Sequence, residues 1–351
     1  MRIAKENTGL KIDGKLLELI RLENDKQTSV TFSNYGCLIL SWIVRDGNGR
    51  LNDIVLGLDK LEDYLKDDYQ DQYPYFGVLV GRYANRIKNA SFSLDGELVG
   101  VSANKGQDHI HGGLRGFDRA VWSVMEMDET RGRVVFGYTS PDGEEGYPGN
   151  LEVKVAYTLT AENELIQEIT ASTDKPTVLN LTHHDYFNLN NGQGQILDHL
   201  LTIPAGAYLE QDDNMVVTGN MVPVENTGHD FRSAKEVGKD LPEPDGYDQS
   251  FVLDKPGGEP SLAAVLESGQ SGLRLEVRTT EPVCHLYTGR WVPPVTGKGG
   301  QKYGPFSGLC LEVQHHPNAV NVPHFPATEL RPGETYRQRT VFKVAAQPSK
   351  A

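Results

Sequence analysis

Two adjacent histidines, His183 and His184, lie within residues 180–189, whose sequence is NLTHHDYFNL and which follow a strand-like run. Successive side chains of a strand point to opposite faces, so both rings cannot enter one pocket. Because imidazole titrates near neutral pH, one ring can donate a proton in a cleft while the other packs behind it. A structural role for both rings is the commoner use of such a pair, so other residues must decide.

An acidic residue, Glu312, lies in the apolar strand-like run GLCLEVQ at residues 308–314. Alternation places it on the face opposite the leucines of the run. That face either meets solvent or lines a pocket, and a carboxylate in a pocket is a candidate general base. The pattern alone leaves both readings open.

Four further polar residues are placed where they could hold a ligand. Asn85 and Arg86 follow a strand end, and their directed hydrogen-bond donors suit a polyhydroxy ligand, although a turn and a surface ion pair explain them equally well. His111 precedes two glycines, which permit close approach of a ligand or simply form a turn. Asp248 enters a strand and could equally cap a turn.

A metal site is the main chemical alternative to acid–base catalysis. The sequence contains neither a Gly-x-Ser-x-Gly elbow nor a Walker-type loop. A cupin-like site could draw on histidines and a carboxylate. The candidate ligands are His109, His111, His183, His184, His315, His316 and Glu312. Adjacent histidines diverge on a strand, however, so we expect neither a metal nor another cofactor.

Composition limits the partners of this chain. Its 351 residues carry a formal net charge of -14, from 48 acidic and 34 basic residues, which disfavours nucleic acid and anionic membranes as partners. Three cysteines, Cys37, Cys284 and Cys310, lie in apolar runs, which predicts buried reduced thiols in a cytoplasmic protein. We read neither a signal peptide nor a run of 18 apolar residues, so we expect no membrane span.

The elements that must position these residues read as short strands. Alternating, β-branched runs recur between turn signals, and many of the 37 glycines and 19 prolines separate them. Strands are predicted at residues 17–23, 28–34, 37–44, 76–80, 133–138, 151–160 and 165–171. One short helix is predicted at residues 58–66 (LDKLEDYLK). Without further helical patterns a βαβ sheet is disfavoured, so residues 1–351 are predicted to form one all-β domain, a large antiparallel β-sandwich.

Seven motifs occur along the chain, and together, in this order, they are informative. They are GRYANRI at 81–87, HGGLRGFD at 111–118, PDGEEGYPG at 141–149, NLTHHDYFNL at 180–189, GYDQSF at 246–251, LYTG at 286–289 and LEVQHHPNAVN at 311–321. Together they resemble the aldose 1-epimerase, or galactose mutarotase, family over about residues 9–344. The resemblance implies a galactose-mutarotase-type β-sandwich. It also implies interconversion of the α and β anomers of a free aldose, with galactose or glucose favoured.

The resemblance also implies roles for individual residues. It makes His184 the general acid and Glu312 the general base. The residues matched to sugar binding are Asn85, Arg86, His111 and Asp248. It implies no cofactor, a monosaccharide as the ligand, and a chain that acts as a monomer or weak homodimer.

Two positions depart from the family pattern. Asp185 stands where the family often has Ser or Thr after the catalytic histidine. His285 stands where many members have a substrate-side Gln, so its contact with sugar and the sugar preference are open. Two aromatic residues, Tyr186 and Phe187, could cover an apolar sugar face or pack in the core.

Two other functions are compatible with these residues. A carbohydrate-binding protein could keep the cleft without turnover, although both proton-transfer residues are present. A sugar-phosphate epimerase would need additional basic residues near the cleft, for which Arg115, Arg119 and Arg290 are candidates. The acidic balance of the chain gives this second alternative little support.

Overall fold

The predicted all-β class is confirmed in the computed structural model, which describes residues 1–254 and 258–346. Residues 255–257 and 347–351 of the predicted 1–351 domain lie outside that description. The first five strands form an antiparallel meander. They are β1 (Arg2–Ile12), β2 (Lys15–Glu23), β3 (Ser29–Ser33), β4 (Ile39–Arg45) and β5 (Leu51–Asp53).

The next five strands are short and lie between residues 79 and 110. They are β6 (Leu79–Val80), β7 (Arg86–Ile87), β8 (Ser91–Leu94), β9 (Glu97–Gly100) and β10 (His109–Ile110). Antiparallel pairs join β7 to β10 and β8 to β9. The predicted strand at residues 76–80 is therefore confirmed only at its last two residues.

The remaining strands build two larger antiparallel sheets and some small pairs. They begin with β11 (Ser123–Asp128), β12 (Arg133–Ser140), β13 (Leu151–Leu159), β14 (Glu164–Thr173), β15 (Thr177–Val178), β16 (Thr182–His183), β17 (Tyr186–Phe187), β18 (Leu200–Thr202), β19 (Ala207–Gln211) and β20 (Val217–Pro223). They continue with β21 (Lys235–Glu236), β22 (Asp248–Val252), β23 (Ser261–Glu267), β24 (Leu273–Thr279), β25 (Val283–Tyr287), β26 (Val295–Thr296), β27 (Lys302–Tyr303), β28 (Leu309–Gln314), β29 (Glu329–Leu330) and β30 (Tyr336–Ala346).

The sheet orders show how distant segments meet. A nine-stranded sheet runs β11-β12-β13-β14-β30-β24-β23-β18-β21, and a six-stranded sheet runs β17-β28-β25-β22-β19-β20. Strand β16 pairs with β6, which attaches the histidine segment to the segment just before GRYANRI. Because these pairings link segments far apart in sequence, only the folded chain can assemble a site from them.

The core lies where the three larger sheets face one another. Trp42 on β4 is fully buried, and its ring meets those of Phe342 on β30 at 5.9 Å and Phe187 on β17 at 6.2 Å. Phe32 on β3 packs on Tyr157 of β13 with ring centroids 4.5 Å apart. Side chains from facing sheets therefore interdigitate as in a sandwich. Of the two roles considered for Phe187, covering a sugar face or packing in the core, the structure shows packing in the core.

Helical structure is scarce in the described part of the chain. The α-helix α1 spans Asp67–Gln70. The 3₁₀ turns are Leu61–Leu65, Lys88–Ala90, Phe117–Arg119, Glu144–Gly146, Lys298–Gly300 and Ala319–Asn321. Among the described residues, no helix has the length and apolar character needed to cross a membrane.

The helix predicted at residues 58–66 is wrong in its extent and type. The structure has a 3₁₀ turn at Leu61–Leu65 and then the single turn α1, with the extended Lys66 between them. Such a short segment gains too few backbone hydrogen bonds to offset helix nucleation. Burial of Tyr64, whose hydroxyl accepts a hydrogen bond from the Leu58 amide at 2.9 Å, decides the local path instead.

One buried acid outside the histidine segment affects stability. Glu281, between β24 and β25, is 5% exposed and lies in a hollow of about 590 Å³ with His315 and His316. Burial raises the pKa of this carboxyl from 4.5 to about 8 and outweighs its hydrogen bond with Thr280. The folded state therefore keeps a proton that the unfolded chain releases.

The free energy of unfolding should consequently fall as pH rises from about 4.5 to about 8, because the folded state binds more protons in that window. Glu281→Gln, which is neutral at every pH, should be a few kcal/mol more stable than the parent at pH 8 and similar to it at pH 4. Urea unfolding across this range measures the difference. Glu259→Gln, at an exposed acid, is the control, and parallel curves for the parent and Glu281→Gln would contradict the prediction.

Candidate active site

Three neighbouring strands place polar side chains in register on one face of the six-stranded sheet. Ser250 on β22 lies opposite His285 on β25, and His285 lies opposite Glu312 on β28. Directly opposed residues of antiparallel strands project to the same side. Glu312 is 1% exposed, so its face of β28 lines a cleft rather than meeting solvent.

The loop after β16 brings His184 to this carboxylate. The His184 amide donates to the Val78 carbonyl at 2.9 Å, and its carbonyl accepts from the Gly77 amide at 3.0 Å. These backbone bonds fix the segment, and the ring Nε2 then lies 3.7 Å from the Glu312 Oε1. The Cys310 thiol lies 3.5 Å from the Nδ1 atom behind it.

The preceding histidine turns the other way, as strand alternation predicts. His183 Nε2 lies 3.2 Å from the Cys37 carbonyl oxygen, and its ring packs edge-on against Tyr157 in the core. Its Nδ1 approaches the Asp185 Oδ2 at 3.0 Å, close enough for an ion pair although poorly aligned for a hydrogen bond. His183 and Asp185 therefore share the face behind the cleft, and His184 alone of these three faces Glu312.

Two loop residues with left-handed backbones bring a further histidine to the cleft. Asn85 and His111 have φ values of 59° and 53°, and the His111 amide donates to the Asn85 carbonyl at 3.1 Å. The Asn85 amide in turn donates to the His111 Nδ1 at 3.3 Å. Burial, followed by the nearby charges of His184 and Arg86, holds the pKa of His111 well below its usual value. A neutral ring that accepts at Nδ1 carries its proton on Nε2, so His111 is a hydrogen-bond donor to a ligand oxygen.

A second pair of side chains joins the cleft through opposite charge. His285 Nε2 lies 2.9 Å from the Asp248 Oδ1, and its Nδ1 lies 2.9 Å from the Ser250 hydroxyl. Burial alone would raise the pKa of Asp248, but the hydrogen bond and charge of His285 outweigh it and lower that pKa. Burial likewise opposes the charge on His285, whereas Asp248 and Glu312 raise its pKa. The departure at His285 thus places an imidazole with a raised pKa beside Asp248 and opposite Glu312 in the sheet.

Arg86 lies deeper in the cleft than a surface ion pair would. It is 6% exposed, and within the described part of the chain its terminal nitrogens contact the carbonyl oxygen and the sulfur of Met215, at 3.5 and 3.6 Å. Its buried Nε has no hydrogen-bond partner. The guanidinium is therefore poorly satisfied by protein groups, which suits a side chain that also binds a ligand.

All seven predicted site residues line one cleft of about 210 Å³. They are His184, Glu312, Asn85, Arg86, His111, Asp248 and His285. A volume below the range of drug-sized pockets suits a ligand as small as one monosaccharide. A larger hollow of about 1010 Å³ lies elsewhere and contains the ion pairs Arg232–Asp230 at 2.7 Å and Lys235–Asp240 at 3.1 Å.

Several cleft residues were not identified from sequence. Tyr287 lies within the LYTG motif, so the sequence carried a signal for it. Trp291, with 61% of its surface exposed, lines the cleft but lies outside the seven motifs. Tyr75 also lacked a signal, because it enters the cleft from a loop before β6. Tyr186 lines the cleft through its ring, unlike its neighbour Phe187.

Three side chains of the cleft are also possible metal ligands. His111, His184 and Glu312 offer three ligand atoms within 4.8 Å of one another. A metal-bound histidine usually donates its other ring N–H to a neighbour. His111 instead accepts at Nδ1, which leaves a proton rather than a lone pair on Nε2. This arrangement fits hydrogen bonding to a ligand oxygen better than coordination of a cation.

The three basic residues suggested for phosphate binding do not line the cleft. Arg115 is exposed and pairs with Asp13 at 2.9 Å. Arg119 lies over the Tyr73 ring at 4.0 Å, and Arg290 lies over the Trp291 ring at 5.3 Å. The sugar-phosphate alternative therefore loses the three residues proposed for it, and among the described residues Arg86 and Lys105 are the basic side chains that line the cleft.

Comparison with known proteins identifies related sequences and structures. The sequence pattern of the aldose 1-epimerase family matches residues 18–343. A galactose mutarotase of Sus scrofa is 42% identical over 94% of this chain and 95% of its own length. An aldose 1-epimerase of Escherichia coli is 34% identical over 97% and 99%. The crystal structure of an aldose epimerase homologue from C. elegans, 33% identical, superposes with a TM-score of 0.85 over 93% of this chain and 98% of that one.

The buried pair behind the cleft yields a stability prediction. Both side chains of His183 and Asp185 are at most 3% exposed. Removing one partner of a buried pair costs about 3–5 kcal/mol, because the other remains buried without compensation. We therefore expect His183→Asn and Asp185→Ser each to lower the free energy of unfolding. The loss in the double variant should be smaller by at least about 1 kcal/mol than the sum of the two single losses.

Urea unfolding of the four proteins measures this coupling. The exposed pair Arg115–Asp13 supplies a control cycle, in which Arg115→Gln and Asp13→Ser should have small effects. Additive losses at His183 and Asp185 would show that the two side chains do not interact.

Proposed function

The chain belongs to the aldose 1-epimerase family, and we propose that it interconverts the α and β anomers of a free aldose. One observation carries the proposal: the His184 Nε2 and the Glu312 Oε1 lie 3.7 Å apart in a cleft sized for a monosaccharide. The relatives named galactose mutarotase favour galactose as the substrate.

The chemistry of a hemiacetal explains why these two groups suffice. In the proposed reaction Glu312 accepts the proton of the C1 hydroxyl while His184 donates a proton to the ring oxygen. The bond between C1 and the ring oxygen breaks, which gives the open-chain aldehyde. Rotation about the C1–C2 bond presents the other face of the carbonyl, and closure reverses both transfers. A positioned acid or base contributes about 10² to 10⁴ in rate.

The other cleft residues are proposed to hold the sugar ring. Asn85, Arg86 and His111 supply donors, and the free oxygen of Asp248 accepts from a hydroxyl. His285 neutralises Asp248 and fixes its carboxylate. This fixation matters because the rest of the sugar must stay in place while the C1–C2 bond of the open chain rotates.

We further propose that the protein works in the cytoplasm on a small neutral sugar, as a monomer or weak homodimer. The three cysteines support this location, since all are buried free thiols. The acidic surface supports a partner that is neither nucleic acid nor an anionic membrane.

The opposing hypothesis is a carbohydrate-binding protein without turnover. Polarimetry on freshly dissolved α-galactose separates the two functions, because only an enzyme accelerates the approach to the equilibrium rotation. Acceleration by catalytic amounts of protein is the expected result, and binding without acceleration would favour the alternative.

The roles of the two proton-transfer residues can be tested by substitution. Glu312→Gln removes the base, and His184→Asn removes the acid, while both keep polar atoms in the cleft. Each should lower kcat by at least about 10² with sugar binding retained. His183→Asn is the matched control on the opposite face, and its kcat should stay within about tenfold of the parent.

The pH profile of kcat provides a second readout. A protonated acid and an ionised base together give a bell-shaped profile, and His184→Asn should remove its alkaline limb. Circular dichroism verifies that each variant is folded. Greater loss of turnover in folded His183→Asn than in folded His184→Asn would reverse the assignment of the acid.

The proposed mechanism also predicts how the protein responds to chelators. Because neither proton transfer passes through a metal, full activity is expected after dialysis against EDTA and return to chelator-free buffer. Recovery of lost activity by one particular divalent ion would instead favour coordination by His111, His184 and Glu312.

A further inference from the structure

Two tyrosine rings pack against the imidazole of His184, one stacked and one tilted. The Tyr75 ring is centred 5.7 Å away at an interplanar angle of 25°, and the Tyr186 ring is centred 5.0 Å away at 33°. A third ring, Tyr287, meets the imidazole edge-on at 6.4 Å. The acid of the proposed reaction is therefore surrounded by aromatic rings as well as by polar groups.

The backbone holds Tyr75 in this place at some conformational cost. Its φ of 60° is unusual for a bulky residue, and such outliers persist only where the surroundings impose them. On one side the Tyr186 hydroxyl donates to the Pro74 carbonyl at 2.8 Å, and on the other the Gly77 amide donates to the His184 carbonyl at 3.0 Å. Both bonds tie the Tyr75 loop to the His184 segment.

Ionisable groups of both signs surround His184. Asp248 and His285 face each other, which lowers the pKa of Asp248 and raises that of His285, while burial lowers the pKa of His111. Burial keeps the pKa of the Tyr75 and Tyr186 phenols above the usual value, so both rings stay neutral. The surroundings of His184 thus combine neutral aromatic rings with paired polar groups.

We propose that Tyr75, together with Tyr186, stabilises the protonated form of His184 through its π-face and thereby keeps the general acid charged during turnover. A cation over an aromatic face is attracted by the ring quadrupole, and the attraction grows when water is excluded. Tyr75 acts through His184 and is a positioning residue. The inference rests on the proposed function, because the role of general acid is the reason for the His184 ring to be protonated.

The experiment compares variants that differ in π character. Tyr75→Phe keeps the ring, and Tyr75→Leu keeps the bulk without a π-face. With galactose as substrate, the alkaline limb of the kcat profile should stay in place for Tyr75→Phe. It should move by about 0.5–1 pH unit toward lower pH for Tyr75→Leu. Tyr73→Leu is the control, because Tyr73 packs on Tyr75 at 4.7 Å but makes its cation contact with Arg119 rather than with His184.

A measurement without turnover separates this inference from the proposed function. The histidine ring resonance that disappears in His184→Asn can be followed through a pH titration by NMR. Its midpoint should fall in Tyr75→Leu and stay unchanged in Tyr75→Phe and Tyr73→Leu. A midpoint shift in a protein that fails to accelerate mutarotation would support the aromatic role and refute the proposed function.

Progressive fluorination of phenylalanine at position 75 weakens the π-face while preserving ring shape, so it tests the inference even if Tyr75→Leu unfolds. The midpoint should fall stepwise with each fluorine. A Tyr75→Leu variant with a raised KM and an unmoved limb would show that the ring only packs against sugar. Either that result or a midpoint insensitive to fluorination would overturn the proposal.

Discussion

The site depends on the burial of one carboxylate. Glu312 is 1% exposed on a strand whose residues are buried throughout, so water cannot compensate its charge. The sheet places His285 opposite it on the adjacent strand, and the loop after β16 places the His184 Nε2 3.7 Å from its Oε1. The Oε2 atom has no hydrogen-bond partner among the described residues, so the buried acid keeps an acceptor for a ligand.

The same constraint explains why the site is built from both strands and loops. The six-stranded sheet fixes Asp248, His285 and Glu312 through hydrogen-bonded register, which resists displacement. Asn85, His111 and Tyr75 instead come from loops with left-handed backbones, where single residues can turn inward. Strands in fixed register and loops with constrained backbones together preorganise the cleft for a small sugar ring.

Electrostatic balance in the cleft follows from these placements. Asp248 and Glu312 raise the pKa of His285, while burial and positive neighbours lower the pKa of His111. The pKa values of two histidines in one cleft are thus shifted in opposite directions by the groups around each ring. His183 is removed from the cleft altogether and contacts Asp185 and the Cys37 carbonyl.

The sequence by itself determined the all-β class, the approximate positions of the strands that it predicted and the opposite directions of His183 and His184, because alternation and turn residues are local properties. Its ordered motifs and their flanking residues also indicated seven of the residues that line the cleft. The helix at residues 58–66 was wrong because tertiary burial of Tyr64 outweighed local helix periodicity. Only the tertiary structure decided that Glu312 faces a cleft, that His285 contacts Asp248 and that Tyr75 stacks on His184. Those contacts join residues from 37 to 128 positions apart, and nothing local in the chain encodes which distant strands or loops will meet.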